Sequence, residues 1–328
     1  MKKTLPSPAP TRFAATFLRF LRLSVCVAAW LLAAGAGAQA QRAFAKLPNG
    51  PTTLLTSDSV QLYVQLAGQG TPCVFVHGGP GAGSYSFEQL GGRPLETKLR
   101  MVYFDQRGSG RSASSPRGRY GMARMVQDLE ELRQHLGLER WVVMAHSFGG
   151  AIATAYAAAH PERVQALVLV NAVLNPVASL ESTVQYGTSL LPAAEQPSPS
   201  VPLMQRVGMV MGALQQKRLA AQLQFSHDSL AARAGRANGG APANRDFATH
   251  VFSGRLPDYG HDYVPATAKL TMPVLTVLGQ DDRTTGATAQ TFRFPKQQVA
   301  VLPGKHFSFL EQPTQFRQTV VSFVQKLR

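Results

Sequence analysis

Short apolar runs bounded by turn residues recur along this chain, and between them apolar residues return every three or four positions. Val60 to Val64 alternates as a half-buried strand does. Cys73 to Val76 and Met101 to Phe104 are continuously apolar, the pattern of strands covered on both faces. Gly121 to Leu136 carries Met122, Met125, Val126, Leu129, Leu132 and Leu136, one apolar stripe of a helix that Gly137 is placed to end. A strand at Trp141 to Ala145 follows, then an Ala-rich helix from Gly149 to about Ala159 and a buried strand at Ala166 to Val170. The alternation predicts an α/β architecture, a mainly parallel sheet with helices on both faces.

Near Val177 the pattern lapses. From there to about Ala268 no strong strand recurs, and Pro192 to Pro202 and Ala234 to Asn244 read as loops. Between them Met204 to Phe225 has the periodicity of one or two amphipathic helices. Strands then resume at Val274 to Leu278 and Val299 to Leu302, before a final helix from Thr314 to Leu327. The expected organisation is therefore a core of residues 41–177 and 269–328, interrupted by a helical lid over 178–268. No internal repeat is present.

The first forty residues follow a different rule. Lys2, Lys3, Arg12, Arg19 and Arg22 precede an apolar run from Leu23 to Leu32, and small residues lead to Ala38-Gln39-Ala40. That is the order of a secretory signal peptide, so residues 1–40 are expected to be removed and the protein to be periplasmic or secreted. The run is short for a membrane span, so no lasting anchor is expected. Removal takes away five of 33 basic residues and none of 18 acidic ones, lowering the formal charge from +15 to +10. The remaining charges are scattered, with no dense basic run, which argues against nucleic acid as a partner. Cys73 is the one cysteine beyond the leader and sits in an apolar run, a core residue. No Cys/His cluster has metal-ligand spacing, and no metal or cofactor is expected.

The chemistry gathers at the ends of the strands. Trp141 to Ala145 runs into His146-Ser147-Phe148-Gly149-Gly150, where small residues allow a tight strand-to-helix turn that lifts a serine hydroxyl clear of the backbone. Ala145 stands where such elbows usually carry glycine. A serine needs a base, and the base needs a partner to fix its tautomer. Asp282, just beyond the strand Val274 to Leu278, suits the acid, with Asp281 as the alternative; His306, beyond the strand Val299 to Leu302, suits the base. His146 is read as packing. An oxyanion hole would take the N–H of Phe148 and one from His77-Gly78-Gly79-Pro80-Gly81, with Gly79 ahead of Gly78. In Asp105-Gln106-Arg107-Gly108-Ser109-Gly110-Arg111-Ser112 an Asp–Arg pair is expected to brace neighbouring loops.

Together, the segments at 77–81 and 105–112, the run from Asp128 to Gly137 leading to the elbow, and Tyr156 to Val164 resemble the α/β-hydrolase superfamily, and within it the prolyl aminopeptidase (proline iminopeptidase) branch. The resemblance covers roughly 55–177 and 270–328. It implies Ser147 as nucleophile, Asp282 as acid and His306 as base, in a hydrolase that releases N-terminal residues from short peptides through an acyl-enzyme. Two features depart from that branch. Its elbow usually reads Gly-Gly-Ser-Trp-Gly, and its lid holds the substrate amine with carboxylates, often near tryptophans. Here the elbow reads Ala-His-Ser-Phe-Gly, the lid has no tryptophan, and Glu181, Glu195 and Asp228 are the available acids, with nothing in their spacing to select one. Hydrolysis of a carboxylic ester, lactone or amide is the alternative, and a non-catalytic ligand-binding protein on the same scaffold the third. Epoxide hydrolases and haloalkane dehalogenases are disfavoured, because they carry aspartate at the elbow.

Overall fold

A computed structural model describes residues 44–238, 244–254 and 256–327; the expected signal segment lies outside them. Eight strands among the described residues form one sheet in the order β1-β2-β4-β3-β5-β6-β7-β8. They are β1 (Gly50–Leu55), β2 (Gln61–Gly68), β3 (Thr71–Val76), β4 (Leu99–Phe104), β5 (Trp141–His146), β6 (Val164–Val170), β7 (Val274–Gly279) and β8 (Gln297–Leu302). β2 runs antiparallel to β1 and β4, and every pairing from β4 to β8 is parallel.

The continuous apolar runs are explained by what lies on the two faces. Val74 and Val76, Val143 and Ala145, and Leu167 and Leu169 face one core with α1 (Met122–His135) and α2 (Gly149–Ala159). Their neighbours Cys73, Phe75, Val142, Met144, Ala166 and Val168 face a second core with α7 (Pro313–Gln325). Since neither face meets water, the polar half of the usual strand alternation disappears. Only the margins keep it. β1 has one buried residue, Leu54, so it carries no apolar signature and is not expected from the sequence.

Between β6 and β7 the chain is helical: α3 (Pro176–Ser189), α4 (Leu203–Gln216), α5 (Asp228–Asn238) and α6 (Asp246–Phe252). Asn175 caps α3 by accepting from the Ala178 N–H, and Pro176 opens the helix. Val184, Leu191, Val210, Leu214 and Leu223 give this insert a small core of its own. One expectation needs correction. Ala234 lies in α5 and not in a loop, because Leu230, Ala231 and Ala234 make a face too weakly apolar to register in the sequence. Among the described residues no helix is long and apolar enough to cross a membrane.

Candidate active site

Parallel pairing sends the C-terminal ends of β3, β5, β6, β7 and β8 to one edge of the sheet. The loops leaving that edge carry Gly78, Ser147, Asn171, Asp282 and His306. Ser147 adopts φ 53°, a left-handed backbone costly for a non-glycine residue. It is held there because its N–H donates to Val170 O (3.2 Å), while its carbonyl accepts from the N–H groups of Gly150 (2.9 Å) and Val173 (2.9 Å). The small residues are needed around it. A Cβ on Gly149 would stand 2.3 Å from Val76 O, and one on Gly150 2.6 Å from the Ala172 Cβ.

The Ser147 Oγ lies 2.8 Å from His306 Nε2, and His306 Nδ1 lies 2.9 Å from Asp282 Oδ2. Asp282 also accepts from Asn171 Nδ2 (2.8 Å), the Thr284 N–H (2.8 Å) and Thr285 Oγ1 (3.1 Å). Burial pushes its carboxyl upward, but His306 and these hydrogen bonds outweigh burial and hold it well below the usual carboxylate range. Asp281, the alternative acid, is exposed. A carboxylate therefore fixes the imidazole with a proton on Nδ1, leaving the Nε2 lone pair turned to the Ser147 hydroxyl.

Gly78 and Gly79 flank the serine, and a Cβ on Gly78 would meet the Ser147 Cβ at 2.7 Å. Among the described residues no protein acceptor takes the N–H of Gly79 or of Phe148. The glycine loop is braced from behind. His77 Nδ1 donates to Gly78 O (2.8 Å), and its Nε2 accepts from the Gln106 N–H (2.9 Å). Asp105 takes the Ser84 N–H and hydroxyl, both at 2.7 Å, and pairs with Arg111 at 2.8 Å. Arg107 binds Asp128 and Asp58 instead, tying α1 to the loop before β2. The 105–112 segment thus contributes two separate braces.

A cavity of about 330 Å³ opens beside Ser147. Phe75, Phe87, Phe307 and Phe309 form its wall, and Phe225, Ala234, Gly235 and Asn238 of the lid complete it. Among the described residues no Asp or Glu lines it. Glu181, Glu195 and Asp228 are exposed on the lid, and Glu195 pairs with Lys217 at 2.8 Å. The structure does not bring these three to the cavity. Among the described residues no group of three or more His, Cys, Asp or Glu is disposed to hold a metal ion. Cys73 is buried, and burial pushes its thiol far up, away from nucleophilic use.

Two residues at the site escape a reading of the sequence. Asn171 follows β6 directly, at the strand end where site residues gather, and that position is its only signal. His146 faces the site and lines the cavity, against the expectation that it turns away into packing.

A family model described as the alpha/beta hydrolase fold matches residues 71–313. The chain belongs to this family. The chain is 39% identical over 124 residues to a proline iminopeptidase of Neisseria meningitidis serogroup A, covering 35% of the chain and 38% of that protein. It is 39% identical over 141 residues to one of Xylella fastidiosa strain Temecula1, covering 42% and 44%. The chain thus matches less than half the length of these curated relatives. A solved proline iminopeptidase-related protein of Thermus thermophilus superposes with a TM-score of 0.72 at 24% identity, covering 86% of the chain and 99% of that structure. An esterase of Exiguobacterium antarcticum gives 0.62 at 22%, covering 84% and 99%. At such identities the solved structures speak for the fold.

Proposed function

We propose that the chain is a serine hydrolase working through an acyl-enzyme. The observation that carries the reading is the continuous hydrogen-bonded chain from Ser147 Oγ through His306 to Asp282. In this reading Ser147 Oγ attacks the substrate carbonyl while His306 Nε2 accepts its proton. The developing oxyanion is met by the N–H groups of Phe148 and Gly79, with Gly78 packed behind. His306 then returns the proton to the leaving group, and water, activated by the same imidazole, releases the acyl group from Ser147.

The cavity chemistry supports an uncharged, apolar acyl substrate such as a simple carboxylic ester. A free ammonium placed among phenylalanines and neutral amides would lose its water without gaining an anionic partner. The similarity to proline iminopeptidases over 124 and 141 residues favours the second reading, release of an N-terminal proline from short peptides. The leader pattern of residues 1–40 supports an address in the periplasm or outside the cell, to be tested by sequencing the N-terminus of the exported protein.

Hydrolysis of p-nitrophenyl butyrate beside proline p-nitroanilide, by the protein and its Ser147→Ala variant, tests the reading. Ester cleavage lost in the variant is expected. Prolyl cleavage lost in the variant would transfer the substrate assignment to the peptidase, and cleavage that survives the substitution would overturn the mechanism.

A further inference from the structure

Val142, Met144 and His146 share one face of β5, and the first two are wholly apolar core residues. An imidazole in the next place on that face is anomalous, since a buried polar ring is costly unless it is hydrogen-bonded. His146 is 6% exposed, and its Nε2 lies 2.9 Å from the carbonyl oxygen of His306. A carbonyl only accepts, so Nε2 carries the proton. Among the described residues no other donor reaches that carbonyl. Burial and the neighbouring His306 push the His146 imidazole down to about 3, so the ring stays neutral and the tautomer fixed.

The ring also packs at 4.9 Å from the His306 imidazole and between Phe307 and Phe309. On its other side the His306 peptide is held by its own N–H, which donates to Gln224 O of the lid at 3.1 Å. The base residue is thus gripped at both ends of its backbone, by the residue before Ser147 and by the lid.

We propose that His146 is a positioning residue: its Nε2–H holds the His306 peptide so that the imidazole meets the Ser147 hydroxyl. The inference rests on the serine-hydrolase reading above. It departs from a packing role, because it assigns the work to one hydrogen bond and not to the ring's volume.

Two substitutions separate the alternatives. His146→Phe keeps an aromatic ring and loses the N–H donor, whereas His146→Gln loses the ring and keeps a donor at similar reach. For p-nitrophenyl butyrate, His146→Phe is expected to lower kcat about tenfold or more with KM within about twofold, since a small misplacement of a reacting group is felt in the chemical step. His146→Gln is expected to stay within about threefold of the parent kcat, and labelling of Ser147 by a fluorophosphonate should follow the same order. Thermal melting of each variant monitors folding. A fully active His146→Phe, or a folded His146→Gln as slow as His146→Phe, overturns the proposal. Should His146→Phe not fold, His146→Leu takes its place in the same comparison. A parent protein that is not labelled at Ser147 overturns the serine-hydrolase reading and this inference with it. Equal labelling of the parent and His146→Phe overturns the role of His146 alone.

Discussion

Asn171 Nδ2 donates to Asp282 Oδ2 at 2.8 Å, the same carboxylate oxygen that faces His306 Nδ1. The amide is itself oriented, because Ser308 Oγ donates to Asn171 Oδ1 at 2.6 Å and the Asn171 N–H donates to Val277 O at 2.8 Å. Asn171 adopts φ 44°, a backbone conformation that asparagine tolerates better than most residues. One residue at the end of β6 therefore ties Asp282 on the β7 loop to Ser308, just beyond His306. Asn171→Ala is expected to lower kcat for p-nitrophenyl butyrate about tenfold with little change in KM, because the acid loses orientation while the cavity is untouched. Steady-state kinetics at saturating ester measures this directly. An unchanged kcat would show that the Thr284 and Thr285 contacts suffice to hold Asp282.

Gly78 gives a sharper expectation. An added methyl would stand 2.7 Å from the Ser147 Cβ and 2.9 Å from the His146 carbonyl oxygen, and neither can retreat without moving the elbow. Gly78→Ala is expected to lower kcat/KM by about a hundredfold, as loss of an oxyanion donor or of nucleophile alignment does. The rate of Ser147 labelling by a fluorophosphonate should fall in parallel. Labelling at the parental rate would mean that the loop yields without disturbing the nucleophile.

Why are Ser147, Asp282 and His306 legible in the sequence and their supports not? Each of the three lies in the loop after a strand whose apolar run is plain in the sequence, buried in β5 and β7 and largely exposed in β8, and parallel pairing then brings such positions to one edge. The supports are read through atoms, not positions. That Asn171 reaches Asp282 depends on a left-handed backbone, and that His146 faces His306 depends on which face of β5 meets α7. The lid acids are beyond reach for another reason. No period links the 178–268 insert to the core, so nothing in the sequence shows which side of its helices turns to the cavity. Edge strand β1 is silent because only Leu54 in it is buried.

Arg107 separates stability from chemistry. Its guanidinium is fully buried, with two bonds to Asp128 (2.6 and 2.7 Å) and two to Asp58 (2.9 and 2.8 Å). Arg107→Met would leave Asp128 with Arg124 alone, in a site where burial already raises its carboxyl. Removing one partner of a buried ion pair costs about 3–5 kcal/mol. Chemical denaturation should show a loss of that order. Because Arg107 does not line the cavity, kcat of the folded variant should stay at the parental value.

The buried histidines make stability depend on pH in a stated direction. Burial lowers the His146 imidazole to about 3, and burial also lowers that of His77. In the unfolded chain both would titrate near 6.5. As pH falls below about 6.5, the unfolded chain takes up protons that the native state refuses, so their contribution to native stability is full above that pH and is lost as pH falls, for His146 down to about 3. Each such group contributes a slope of up to about 1.4 kcal/mol per pH unit between its unfolded and its folded titration. Asp282 adds to the loss only at the acid end, since a depressed carboxyl gives up its contribution as pH falls from its unfolded value through its folded one. His146→Gln removes one titrating ring and keeps the hydrogen-bond donor. Its melting temperature should therefore fall less than the parent's between pH 6.5 and 4, with the two curves running parallel above pH 7. Parallel curves across the whole range would mean that His146 takes up its proton in the folded state as readily as in the unfolded one.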